Sequence, residues 1–191
     1  MTRLIVGISG ASGIIYGIRL LEALKEIDIE THLIMSEWAE RILVLETDYD
    51  PGYVKGLAAA RYENRDLAAP VSSGSFLTAG MVIAPCSMKT LAGIAGGYSQ
   101  SLLERAADVT IKEGRKLVLM PRETPLSPIH LENMLKLARI GVAIVPSMPA
   151  FYIKPQSILE LVDHQVGKII DRLGFQHRLF RRWGEDPAPE K

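Results

Sequence analysis

The stretch "RLIVGISGASGIIYGIRLLEALKEI" (residues 3–27) decides how the rest of the chain is read. Its opening "RLIVGI" (3–8) is a nearly unbroken apolar run of strand length. Apolar residues that follow one another, rather than alternate, are expected where both faces of a sheet are covered. The turn "GISGASG" (7–13) then leads into apolar residues at helical spacing (13–27). Gly10 and Gly13 permit a tight turn and close approach of the backbone, and N–H groups opening a helix favour a phosphate. Ser12 adds a hydroxyl. The spacing is not GxGxxG, so the dinucleotide fingerprint is not met. Glycines needed only to pack helix against strand would read the same way.

The alternation recurs. "ETHLIM" (30–35) reads as a strand and "EWAERILVLE" (37–46) as a helix. "MVIAP" (81–85), "KLVLMP" (116–121) and "VAIVP" (142–146) read as further strands, with helical patterns at 87–95, 101–113, 129–139 and 156–173. Strands separated by helices imply right-handed crossovers and a parallel sheet. The expectation is a three-layer α/β fold, Rossmann-like or flavodoxin-like, with a mainly parallel sheet of about five strands. The turn-rich span 47–79 is expected to form long loops around one short helix (53–60). A single domain is expected over 1–183, followed by a disordered tail, "GEDPAPEK" (184–191).

Lys and Arg total 22 and balance 22 Asp and Glu, so nothing in the charge favours nucleic acid or an anionic membrane. Hydrophobic residues make up 48% of the 191, more than one core of this size needs, which points to buried subunit contacts. One cysteine, Cys86, leaves no intramolecular disulfide and no Cys-rich zinc spacing. The opening apolar run is too short for a signal-peptide core, and no window reaches the length of a membrane span. A cytoplasmic protein is expected.

In open α/β sheets ligands sit beyond the carboxyl ends of the strands, which turns the strand ends into candidates. Ser36 and Ser87 each open a helix, where a serine serves as N-cap, as ligand contact, or as both. Cys86 has no neighbour that marks a reactive thiolate and reads as buried and structural. "LVLMPRETPLS" (117–127) ends a strand by setting Arg122 beside Glu123. Arg105 and Lys112, seven residues apart on one helix, share a face. With Arg122 they would form a cationic site around Glu123 that suits a phosphorylated small molecule; a solvated basic helix face explains the same spacing. Tyr152, in the proline-stiffened "PSMPAFYIKPQS" (146–157), suits either a phosphate or an interface. His130 reads as structural or capping, and His32, His164 and His177 make no metal-ligand spacing with it.

Taken together, "GISGASG", "SEWAERILVLETD", "SSGSF", "APCSMKTLAGI", "ERAADVTIKEGRKLVLMPRETPLS", "HLENMLKLARIG" and "PAFYIKPQS" resemble the flavin prenyltransferase family, the UbiX/Pad1-type proteins that accompany UbiD-type decarboxylases. The resemblance covers roughly residues 3–183. It implies a metal-independent transfer of a dimethylallyl group from dimethylallyl monophosphate to N5 and C6 of reduced FMN. The product, prenylated FMN, goes to a UbiD-type decarboxylase, and the protein is a homododecamer. Matching motifs imply a flavin site of Gly10, Ala11, Ser12, Ser36, Ser87 and Arg122. They imply a prenyl phosphate site of Lys112, Arg122, Glu123, Tyr152 and Lys168, with Ser12, Glu46, Lys112 and Glu123 at the chemistry. Similar proteins can carry arginine at the position of Lys168, and lysine keeps the charge without the two-point grip. The functional asparagine of related cysteine decarboxylases falls at Lys89, which argues against that branch. Two rivals remain: a direct flavin-dependent decarboxylase, and a non-catalytic flavin-binding subunit of a decarboxylase complex.

Overall fold

The structure, a computed structural model, describes residues 2–184. Strand β1 (Arg3–Ile8) explains the continuous apolar run. Leu4, Val6 and Ile8 face a core shared with helices α1 (Ile14–Glu26) and α7 (Ile158–Leu173), while Ile5 faces the opposite core. That second core lies under α4 (Met88–Gly96), α5 (Leu102–Lys112) and α6 (Pro128–Arg139). The side-chain period of two therefore feeds two cores at once. Each large side chain buried this way contributes about 1.5–3 kcal/mol.

All strands are parallel, in the order β3-β2-β1-β4-β5-β6. Strand β2 is Glu30–Met35, β4 is Gly80–Cys86 and β5 is Lys116–Pro121. The chain builds outward from β1 to β3, then crosses back to lay β4 on the other flank of β1. That reversal puts the topological switch point between the carboxyl ends of β1 and β4.

The sheet has six strands where about five were expected, and the added one lies in 47–79. That span contains α3 (Pro51–Gly56), β3 (Ala60–Glu63) and a single 3-10 turn at Pro70–Ser72, so the helix expected at 53–60 starts and ends earlier. Asp50 starts α3 by accepting from Tyr53 N at 2.8 Å. Strand β3 escaped the sequence reading because it has four residues at a sheet edge, none fully buried. Strand β6 shrinks to Ala143–Ile144. Of the tail expected at 184–191, all but Gly184 lies outside the described residues.

Two features fix α1 on the sheet. A Cβ at Gly17 would meet the Ala84 carbonyl oxygen at 2.6 Å and Ile8 Cδ1 at 2.8 Å, so the helix backbone rides directly on β1 and β4. The N-cap, Gly13, has φ 93 and supplies no side-chain cap. Glu46, the last residue of α2 (Glu37–Glu46), does so instead, accepting from Gly13 N at 2.8 Å and Ile14 N at 3.3 Å. Burial pushes the Glu46 carboxyl up, but hydrogen bonds from Ser12, Gly13 and Ile14 and the charge of Arg122 hold it below the ordinary glutamate range.

Two outcomes are expected. Gly17→Ala lowers stability by about 1–3 kcal/mol, because backbone rather than a flexible side chain meets the added methyl; urea unfolding at fixed protein concentration measures it. A depressed carboxyl contributes stability above its unfolded pKa that is lost as pH falls through the folded one. The stability gap between the parent and Glu46→Gln is therefore constant near neutrality and closes on acidification below 4.5. Urea midpoints across an acid pH series read that closure.

Candidate functional site

The switch point is closed by hydroxyls. Ser9, 1% exposed, donates from Oγ to the Pro85 carbonyl at 3.0 Å and accepts from Ser87 N at 2.7 Å. It thereby ties the loop after β1 to the loop after β4. Sequence reasoning singled out Ser12 in the same motif and missed Ser9. Its place directly after the apolar run of β1, between Ile8 and Gly10, was the available signal.

Ser87 is the N-cap of α4: its Oγ accepts from Thr90 N at 3.3 Å and donates to Thr90 Oγ1 at 3.1 Å. Ser36 caps α2 by accepting from Ala39 N at 3.1 Å. Both serines do the capping work, and both helix N-termini open at the carboxyl edge of the sheet. Gly10 is spoken for sterically, since a Cβ there would lie 2.5 Å from Trp38 Cβ. Its neighbour Ala11 is buried and Ser12 is exposed. The phosphate seat expected at the start of α1 is not free: its first N–H groups are held by Glu46, whose negative charge would repel an anion.

Arg122 follows β5, beside β4, and its backbone N–H reaches the Cys86 carbonyl at 3.2 Å. Its Nε is buried and has no hydrogen-bond partner. A buried guanidinium N–H left unpartnered is costly, and an acceptor oxygen brought to it would remove that cost. Glu123, next along, is exposed and accepts from its neighbour Thr124 N at 3.0 Å. Cys86 is fully buried and burial pushes its thiol well up, in keeping with an inert role. A cavity of about 630 Å³ lies beyond the ends of β2 and β3, lined among others by Ser36, Trp38, Asn64, Lys89 and Ser101.

The remaining cations stand elsewhere. Arg105 and Lys112 do share a recess, with the serine loop Ser72–Ser75 and Glu113. Arg105 Nε donates to Ser72 O at 3.3 Å, and Lys112 pairs with Glu113. This recess flanks the amino end of β5, whereas Arg122 follows its carboxyl end. The intervening six-residue strand spans roughly 20 Å at about 3.3 Å per residue. The single cationic cleft expected from Arg105, Lys112 and Arg122 around Glu123 is therefore not formed within one chain.

Tyr152 and Lys168 belong to a third place, on the α7 side of the sheet. Tyr152 Oη lies 3.0 Å from His164 Nε2, and its ring meets Trp183 edge-on at 5.4 Å. Lys168 is exposed on α7, opposite the face that carries Lys112. His130 has the capping role read for it: its Nδ1 accepts from Ser127 N at 3.3 Å while Ser127 Oγ accepts from His130 N at 3.2 Å.

The chain as a whole is similar to known proteins. The chain matches the Flavoprotein family over residues 1–172. It is 56% identical over 187 residues to flavin prenyltransferase LpdB of Lactiplantibacillus plantarum, covering 97% of this chain and 100% of that one. The crystal structure of AnUbiX (PadA1) in complex with FMN and dimethylallyl pyrophosphate superposes with a TM-score of 0.95 at 49% identity, over 97% of this chain and 99% of the other. A dodecameric FMN-dependent UbiX-like decarboxylase from Escherichia coli O157:H7 superposes with a TM-score of 0.93 at 55% identity, over 95% and 99%. With an identity this high across nearly all of both chains, the chain belongs to the flavin prenyltransferase family of UbiX/Pad1-type flavoproteins.

Proposed function

We propose that this protein joins the dimethylallyl group of dimethylallyl monophosphate to N5 and C6 of reduced FMN, and that the prenylated FMN serves a UbiD-type decarboxylase. The observation that carries the reading is Arg122, whose buried and unpartnered Nε stands at the carboxyl edge of the sheet beside the Glu123 carboxylate. Residues 1–183 act as one flavin-binding unit in the cytoplasm; among the described residues no helix is long and apolar enough to cross a membrane.

Gly10, Ala11, Ser12, Ser36, Ser87 and Arg122 would hold FMN, Ser36 offering the O–H that capping leaves unused and Ser87 one that would first have to leave Thr90 Oγ1. Reduced FMN supplies the nucleophilic ring positions when bound. Cleavage of the allylic C–O bond places negative charge on the departing phosphate, which Lys112, Arg122, Lys168 and the Tyr152 hydroxyl would stabilise. Ring closure at C6 requires a proton acceptor, and Glu123 is the candidate base. Glu46 and Ser12, hydrogen-bonded to each other, would border the reacting groups.

Lys112, Arg122 with Glu123, and Tyr152 with Lys168 occupy three separate regions of one chain. Assembly as a homododecamer, the state named for the E. coli relative, would let neighbouring copies unite them. The exposed apolar side chains of α2 and α6, among them Trp38, Leu45, Ile129 and Leu135, suit such burial.

Anaerobic incubation with reduced FMN and dimethylallyl monophosphate, followed by mass spectrometry of the extracted flavin, tests the activity. A flavin heavier by one five-carbon unit is expected, with Glu123→Gln slower by about 10²-fold or more. Unmodified but retained flavin would favour the accessory-subunit reading, and CO2 released from a carboxylic acid by this protein alone would favour the decarboxylase. Co-expression of Glu123→Gln with Lys112→Ala chains tests the shared site. Each variant alone is expected to be impaired, and mixed oligomers to regain activity; no recovery would place both residues' roles within one chain.

A further inference from the structure

Among the residues assigned to the prenyl phosphate, Tyr152 carries a hydroxyl that already has a side-chain partner, His164 Nε2 at 3.0 Å. His164 and its neighbour Gln165 are each 4% exposed, two buried polar side chains on α7 that the reaction outlined above does not use. Buried polar groups are retained with their hydrogen bonds satisfied, so the direction of each proton here can be worked out.

The Met148 carbonyl can only accept. The Gln165 atom facing it is therefore the amide nitrogen, Nε2. The same nitrogen lies 3.5 Å from His164 Nδ1 and has a second hydrogen to offer it. An imidazole nitrogen facing a donor is the lone-pair nitrogen, so Nδ1 is unprotonated and the ring proton sits on Nε2. From there it points at Tyr152 Oη. The phenol then spends a lone pair on His164 and keeps its own O–H for an outside acceptor. With the opposite tautomer, Tyr152 would donate inward and present only lone pairs, which would repel a phosphate oxygen.

The ring charge state agrees. Burial lowers the His164 pKa, and the Lys168 charge lowers it further against the opposing pull of Asp171, so the imidazole is neutral near pH 7. The ring orientation is fixed by Phe180, with centroids 4.6 Å apart, and by an edge-on contact with the Tyr152 ring at 5.6 Å.

We propose that His164, its tautomer set by Gln165, is a positioning residue that makes Tyr152 an obligate hydrogen-bond donor, matched to an acceptor-only oxygen such as one of a prenyl phosphate. This rests on the reading that Tyr152 contacts the prenyl phosphate, and the test separates the two.

The test compares steady-state prenylation by the intact oligomer of the parent, Tyr152→Phe, His164→Leu, His164→Gln and the double variant Tyr152→Phe/His164→Leu, with FMN affinity as the folding readout. Tyr152→Phe and His164→Leu are each expected to raise KM for dimethylallyl monophosphate about tenfold, the value of one hydrogen bond to a charged group, with kcat changing less. The double variant is expected to be no worse than Tyr152→Phe, because both remove the same donor. His164→Gln, whose amide N–H can replace Nε2–H, recovers most of the loss. If Tyr152→Phe raises KM and His164→Leu does not, or if the two effects add, the positioning role is overturned while the contact of Tyr152 stands. If Tyr152→Phe leaves KM unchanged, the contact falls and the proposal with it. Should His164→Leu fail to bind FMN, Gln165→Met decides: a raised KM supports the relay and a parental KM overturns it.

Discussion

One hydroxyl extends the tie between β1 and β4 beyond their backbone ladder, where the strand order reverses. Ser9 Oγ spans the gap between the ends of β1 and β4 by donating to Pro85 O and accepting from Ser87 N. Its loss would leave the Ser87 N–H without that partner, at about 1–3 kcal/mol, whereas Pro85 O would keep its bond from Ser9 N at 3.2 Å. The location matters more than the energy. The loop carrying Gly10 to Gly13, the start of α4 and, through the Cys86 carbonyl, the backbone of Arg122 are all registered to this staple. The capped ends of α2 and α4 hold their place because the strands beneath them are tied.

Much of the fold was legible because burial on both faces leaves a plain mark. The runs 3–8, 30–35, 81–85 and 116–121 match β1, β2, β4 and β5 to within a residue or so. What failed was the sheet edge. "ARYE" in β3 is held by backbone pairing to β2, with the Tyr62 hydroxyl reaching His32 at 2.9 Å, rather than by an apolar run. Periodicity has nothing to detect in a strand so short and half-exposed. Of the candidate site, the residue types and the strand ends were readable, while the distances were not. Spacing correctly placed Arg105 and Lys112 on one face, yet it carries no information about which end of the sheet that face meets. The role of Glu46 at the start of α1 was likewise hidden, since it depends on where α2 ends relative to a helix thirty residues earlier.

The exposed cations and the net charge of zero belong to the same picture. A chain with balanced charge has no large field to gather an anionic ligand, so recognition must come from local and partly desolvated groups. Arg122 is such a group. Lys112 and Lys168, exposed in a single chain, would gain strength only when water is displaced around them.

The carboxylate at the head of α1 has one more effect. In many nucleotide-binding sheets the first helix offers its positive end to a phosphate; here Glu46 has neutralised it. An anion would therefore find no free helix end at the β1 loop, and the charge left to receive it there would be Arg122, whose field already reaches Glu46. A molecule with an anionic end and an apolar end would then meet a compass rather than a neutral slot.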